Sequence, residues 1–312
     1  MGSQESKPVD TSDVKNESHN SARNVFENIG RKIKDIASSD AKKHTSSLQG
    51  NYKNAKFHQP LLKAAEYVWY APSNPCNFDF RFDTNAPDKG SYDRDPCHLR
   101  DTNRFSNEGE AECNSSRITG NKGGCGACAP YRRIHLCDYN LEHINDSNIN
   151  STHDLLGNLL VMAKREGDSI VKSHGHTGKG IYKSGICTSL ARSFADIGDI
   201  IRGKDLFLGY NERDRDKKRK LQENLKKIFS NIRDNNSDKL RDLSVDKVRE
   251  YWWALNRNDV WEALTCSAPG DAKYVKYFPS NTTTVSFDQC GHNDMHVPTN
   301  LDYVPQFLRW FD

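Results

Sequence analysis

Six of the nine cysteines, Cys76, Cys97, Cys113, Cys125, Cys128 and Cys137, crowd into a 62-residue stretch whose apolar residues follow no regular period. The stretch and its approach are rich in Pro, Gly, Asn and Asp, as in Pro72-Ser73-Asn74-Pro75 and Asn121-Lys122-Gly123-Gly124. Such a segment cannot bury enough apolar surface to offset the entropy of ordering it. Covalent cross-links supply the missing constraint, so these cysteines read as a disulfide framework formed in an oxidising compartment. Cys187, Cys266 and Cys290 complete the candidates, and the odd total leaves one thiol free or paired beyond Asp312. The longest apolar run, Leu159–Ala163, is too short to cross a bilayer, and the N-terminus lacks the layout of a cleavable signal. Export is then directed from elsewhere, or the chain is one piece of a longer protein.

Outside the cysteine-rich stretch the pattern turns helical. Ser21 is placed to cap a helix through Ala22, Val25, Phe26, Ile29, Ile33 and Ile36, a face that is expected to dock, with Arg23, Arg31 and Lys34 on the far side in solvent. A short helical candidate surrounds Leu61, Leu62 and Ala65. Leu155, Leu156, Leu159, Met162, Ala163 and Ile170 trace a long helix opened by Thr152 or His153-Asp154. Cys187, Leu190, Phe194, Ile197 and Ile201 trace the next, closed by Gly203. A basic stretch runs into Leu221, Leu225, Ile228, Phe229 and Ile232. Ser244 caps a helix through Val248, Trp252 and Leu255, and Asn258 or Asp259 reads as the start of another through Trp261 and Leu264. A last helix begins near Tyr303. With no alternating strand pattern, the fold class is mainly α: residues 1–60 as an N-terminal segment, 61–151 as a disulfide-tied, loop-rich subdomain, and 152–312 as a helical bundle.

Catalytic and metal motifs are weak. Cys125-Gly-Ala-Cys128 has redox-pair spacing, but Gly123-Gly124 and Pro130 replace the strand and helix such a pair needs, and a zinc site would want a second short-spaced pair. In Ser173–Gly180, two residues rather than four separate Gly175 from Gly178, and Gly180 follows Lys179 where a phosphate loop needs a hydroxyl. His292 and His296 sit among Gly291, Asn293 and Pro298, which disfavours a helical metal pair. The expectation is no enzyme, no cofactor and no metal.

Charge is more telling in its distribution than in its total. The chain is +3, yet residues 212–227 alone carry +4. On a helix Arg213, Lys220 and Lys227 fall on one flank and Arg215, Arg219 and Lys226 on the other, with Lys217-Lys218-Arg219-Lys220 lacking compensation from adjacent residues. A sulfated polysaccharide fits such a ladder of cations, about 20 Å long at the helical rise. Nucleic acid fits the charge but not the cysteine usage. The candidate binding residues are Lys217, Lys218, Arg219 and Lys220, flanked by Arg213 and Arg215, with Arg23, Arg31 and Lys34 as a second patch.

Five strings resemble the Duffy-binding-like alpha domain and its N-terminal segment in the erythrocyte membrane protein 1 family of Plasmodium falciparum. They begin with Cys125-Gly-Ala-Cys128-Ala-Pro-Tyr-Arg-Arg133 and Ala191-Arg-Ser-Phe-Ala-Asp-Ile-Gly-Asp-Ile-Ile-Arg-Gly203. Arg249-Glu-Tyr-Trp-Trp-Ala-Leu-Asn-Arg257, Asp259-Val-Trp-Glu-Ala-Leu-Thr-Cys266 and Asp302-Tyr-Val-Pro-Gln-Phe-Leu-Arg-Trp-Phe311 follow in the same order. The likeness covers the N-terminal segment and two subdomains; the family's third subdomain is missing. It implies adhesion on the surface of the infected red cell, with antigenic variation and with adjacent domains of a larger membrane-anchored protein. Only Cys266 and Cys290 lie between the motifs at Asp196 and Phe311, which resembles the subgroup associated with rosetting. That likeness implies heparan sulfate or heparin, blood-group sugars or complement receptor 1 as partners. A scaffold or immune-decoy role, with adhesion carried by a neighbouring domain, is the alternative.

Overall fold

The computed structural model describes residues 21–57, 71–87, 94–100, 111–123, 126–176, 183–278 and 282–310. The helical candidate at Leu61–Ala65 and the thiol of Cys125 lie outside those residues. Among the described residues, five long helices form the frame: α1 Ala22–Ala41, α2 Thr152–His176, α3 Lys183–Arg202, α4 Glu212–Asn235 and α5 Val245–Leu264. Their starts follow capping chemistry. Ser21, Asn211 and Ser244 accept from the amides of Asn24, Asp214 and Lys247, and Ser151 takes the Asp154 amide one residue before α2. Gly203 ends α3 in the left-handed region at φ +73°.

The expected break at Asn258-Asp259 does not occur: α5 runs through it, and the Asn258 side chain donates to the Met295 carbonyl at 3.0 Å instead of capping. The mainly α expectation holds, and the helical half also carries one short hairpin. Val275–Phe278 (β1) and Thr282–Val285 (β2) form an antiparallel hairpin, with Val275 opposite Val285 and Tyr277 opposite Thr283. Strands of four residues are too short for alternation to register against a helical background.

The bundle is organised around α5, which touches all four other long helices. Trp252, Trp253 and Trp261 are fully buried on it. Trp252 meets Phe229 of α4 at 5.8 Å, while Trp253 and Trp261 flank Phe194 of α3 at 5.2 and 5.3 Å. Each such ring removes enough apolar surface from water to contribute about 2–3 kcal/mol. This explains why α5 reads as apolar on several sides.

The docking of α1 departs from the sequence expectation: of its aliphatic and aromatic face, only Phe26 packs against the core. Val25, Ile29, Ile33 and Ile36 are 45, 45, 44 and 67% exposed, and the buried face is Asn24, Glu27, Gly30, Ala37 and Ala41. Glu27 is the anchor. Its carboxylate accepts from Tyr274 Oη (2.5 Å), Thr299 Oγ1 (2.6 Å), the Asn300 amide (2.8 Å) and Asn300 Nδ2 (3.2 Å). Gly30 lets the helix close on the chain beyond it, since a Cβ there would stand 2.2 Å from the Asn300 carbonyl oxygen. A buried carboxylate with four donors, set beside small residues, outcompetes an aliphatic stripe as a docking surface.

Among the described residues, four disulfides brace the chain. Cys97–Cys137 and Cys113–Cys128 close loops within the irregular region, and Cys187–Cys290 ties α3 to the segment after β2. Cys76–Cys266, 190 residues apart in sequence, fastens the irregular region to the end of α5.

Candidate functional site

The basic segment forms the first four turns of α4, and the structure divides its cations into two groups. Lys217 and Lys218 turn inward. Lys218 is buried with Nζ 2.8 Å from Asp138 Oδ2, and Lys217 Nζ lies 2.6 Å from Glu142 Oε2 and 5.1 Å from the centre of the Tyr139 ring. Arg100 completes the cluster at 2.7 Å from Asp138 and 3.0 Å from Glu142. Burial alone would raise the Asp138 carboxyl, but Lys218, Arg100 and Arg133 together hold it well below the usual carboxylate range. The compensation that adjacent residues could not provide therefore comes from Asp138 and Glu142, and Lys218 is a structural cation rather than a displayed one.

Arg213, Arg219, Lys220, Lys226 and Lys227 are exposed, and Arg215 is half-buried with Nη1 3.4 Å from the Ser116 carbonyl. Arg219 is held at the surface by Glu223 (2.7 Å) and Asp216 (3.5 Å). The two flanks differ in what they face. Arg215, Arg219 and Lys226 line a cavity of about 550 Å³ between α4 and the α3–α4 linker, together with Ile200, Phe207, Leu208, Leu221, Arg133 and Arg249. Arg213, Lys220 and Lys227 are not part of its wall. The second patch on α1 is less open than expected: Arg23 reaches Thr188 at 3.5 Å and packs over the Tyr274 ring, Lys34 pairs with Asp35 at 2.7 Å, and Arg31 is exposed.

Four of the five sequence strings converge on one buried ionic network below this surface. Arg132 meets Asp196 at 2.6 Å, Arg257 grips Asp302 at 2.7 and 2.8 Å, and Trp253 Nε1 adds a bond to Asp302 at 2.8 Å. Arg202 bonds Asp199 at 3.0 Å, Arg309 bonds Asp196 at 3.3 Å and also pairs with Asp199, and Arg133 pairs with Asp205. These charges are paired with one another, although Arg132, Arg133 and Arg309 each keep a buried N–H unbonded; the strings specify how the helices dock. The fourth string, Asp259–Cys266, supplies Trp261, whose Nε1 bonds the Cys290 carbonyl at 3.2 Å, and the disulfide to Cys76.

The redox and zinc readings fail on connectivity, because Cys128 is bonded to Cys113. His292 approaches Cys76 Sγ at 3.7 Å, but that sulfur and Cys266 are a disulfide and offer no thiolate. Among the described residues no helix is long and apolar enough to cross a membrane.

Fold and surface together define a disulfide-braced helical binding module. Residues 126–309 match the Duffy binding domain model, and residues 21–56 match that of the N-terminal segments of PfEMP1. The chain belongs to the Duffy binding domain family, a family of non-enzymatic adhesion modules. The NTS-DBL1α and CIDRγ double domain of PfEMP1 from the Plasmodium falciparum varO strain is 45% identical over 94% of this chain, with TM-score 0.83. The varO NTS-DBL1α1 domain alone is 42% identical over 95%, with TM-score 0.75. A PfEMP1 DBLβ domain bound to ICAM-1 is 27% identical over 91%, with TM-score 0.69. Among curated proteins, the Duffy receptor gamma form of Plasmodium knowlesi is 24% identical over 47% of this chain. The chain spans 12% of that receptor, and 43% and 61% of the two varO structures.

Proposed function

We propose that this chain is a host-receptor adhesion domain, presented on the outer face of the infected red cell within a longer PfEMP1-type protein. In this reading it engages sulfated glycans of the heparan sulfate or heparin kind through α4. One observation carries it: Arg213, Arg219, Lys220, Lys226 and Lys227 remain exposed along a single helix, over about 20 Å at the helical rise, after the inward cations have been neutralised. Sulfates spaced along a flexible chain can meet such cations one by one, each contact weak and screened by salt. The Asp138 and Glu142 ion cluster beneath fixes the helix, so little backbone freedom is lost on binding.

Heparin-affinity chromatography of the wild type against a variant with Arg213, Arg219, Lys220, Lys226 and Lys227 all changed to Gln tests it. The variant is expected to elute at markedly lower salt. Unchanged elution would remove α4 from the binding face. Lys217 and Lys218 are kept in both proteins, because replacing them would confound binding with unfolding.

A further inference from the structure

We propose that the hollow between α4 and the α3–α4 linker seats a single anionic sugar residue, sulfated or carboxylated. This rests on the glycan reading of α4 and adds to the extended ladder a pocket of defined size. At about 550 Å³ the hollow lies within the roughly 300–1,000 Å³ of small-ligand sites.

Two buried guanidinium groups in its wall are incompletely paired. Arg249 is 5% exposed, and its partners are neutral oxygens: the Ile201 carbonyl at 2.6 Å, the Ile200 carbonyl at 3.1 Å and Gln222 Oε1 at 2.9 Å. Its Nη1 makes no hydrogen bond among the described residues and is left to solvent. Burial draws its guanidinium down to about 10, against the opposing charge of Asp246. Arg133 is fully buried, and its Nη1 is likewise unbonded although the rest of the group pairs with Asp205. Arg249, held by neutral oxygens and the Phe229 ring with no carboxylate bonded to it, carries a desolvation cost that an anionic guest would recover.

The rest of the wall suits such a guest. Asp138, Asp205 and Glu223 also line the hollow, but they are engaged by Lys218, Arg133 and Arg219, so three carboxylates face six cations. Leu208, 37% exposed, offers an apolar surface to the C–H face of a pyranose ring, with Ile200, Phe207 and Leu221 nearly buried behind it. Gly203 keeps the mouth of the site workable: at φ +73° it favours glycine, and a Cβ there would sit 2.8 Å from Arg249 Nη1. Arg249 opens one of the strings shared with the family, yet no carboxylate of the ionic network pairs with it.

Isothermal titration of the 1–312 domain with a fully sulfated heparin-type disaccharide tests the pocket, with the unsulfated disaccharide and inorganic phosphate as controls. One-to-one binding of the sulfated disaccharide alone is expected. Leu208→Trp, which fills the hollow without altering charge, and Arg215→Gln at its rim should each weaken it about tenfold or more. Lys53→Gln, an exposed cation outside both the cavity and the α4 ladder, should leave it unchanged. Helical circular dichroism confirms that each variant is folded. Failure of the disaccharide to bind, or equal affinity for Leu208→Trp, overturns the proposal, and phosphate binding equally well reduces the pocket to a general anion site and overturns it too. If heparin is still retained in those cases, the ladder stands and only the pocket falls; loss of both removes the glycan reading itself.

Discussion

Lys218 shows how far a residue's role can lie from its place in a charge run. Between Lys217 and Arg219 it looks like any solvated cation, but its partner Asp138 sits 80 residues upstream and is itself bonded to Arg100. No local pattern could reveal that pairing, because it depends on the irregular segment folding back over α4. Lys218→Ala is therefore expected to lower folding stability by about 3 kcal/mol, the cost of leaving a buried carboxylate short of a partner. Chemical denaturation measures the loss directly. Acid dependence gives a second readout. Asp138 is depressed in the folded state, so its contribution is present above the ordinary carboxylate pKa and drains away as pH falls below about 4. The variant, with less depression, should show a flatter acid limb. A Lys218→Ala protein as stable as wild type at neutral pH would return this residue to the displayed patch.

Among the elements, α1 is where reading and structure part most sharply. Its boundaries were legible, since Ser21 caps it and the aliphatic spacing is regular, but its orientation was not. Hydrophobicity pointed to Val25, Ile29, Ile33 and Ile36 as the docking face. The signal for the other face was fainter: Gly30, Ala37 and Ala41 at steps of seven and four, a run of small residues that permits close approach, with Glu27 one turn before it. Replacing both Ile29 and Ile33 by Ser should change stability by no more than about 0.5–1 kcal/mol, as for exposed positions. Gly30→Ala, one methyl set against the Asn300 carbonyl, should cost about 1–3 kcal/mol. Urea midpoints rank the two variants, and the opposite order would mean that the aliphatic face is the buried one. The remaining helices were legible for the ordinary reason that one face of each is apolar. The merging of α5 across Asn258-Asp259 was hidden because capping residues carry the same letters in a helix interior.

For the molecule as a whole, the cysteines announced a cross-linked protein without saying what was linked to what. The crowded stretch suggested a subdomain stapled to itself, and two bridges do that; Cys76–Cys266 instead joins it to α5 across 190 residues. The difference has energetic weight, because a cross-link restricts the unfolded chain in proportion to the logarithm of the loop it closes. Cys113–Cys128 closes only 15 residues. On that account, Ser at both Cys76 and Cys266 should cost about 5 kcal/mol, against about 3 kcal/mol for Ser at Cys113 and Cys128. Thermal unfolding of the two double variants checks the order. Local proteolysis adds a test of where the loss falls: without Cys76–Cys266, the irregular region should be cleaved while α2–α5 persist. Without Cys113–Cys128, the cuts should be confined near that loop, and α4 should keep its position over Asp138 and Glu142. Equal losses from the two variants would mean that the long bridge joins parts already held together by packing, with the Lys217, Lys218 and Arg100 cluster as the stronger clasp.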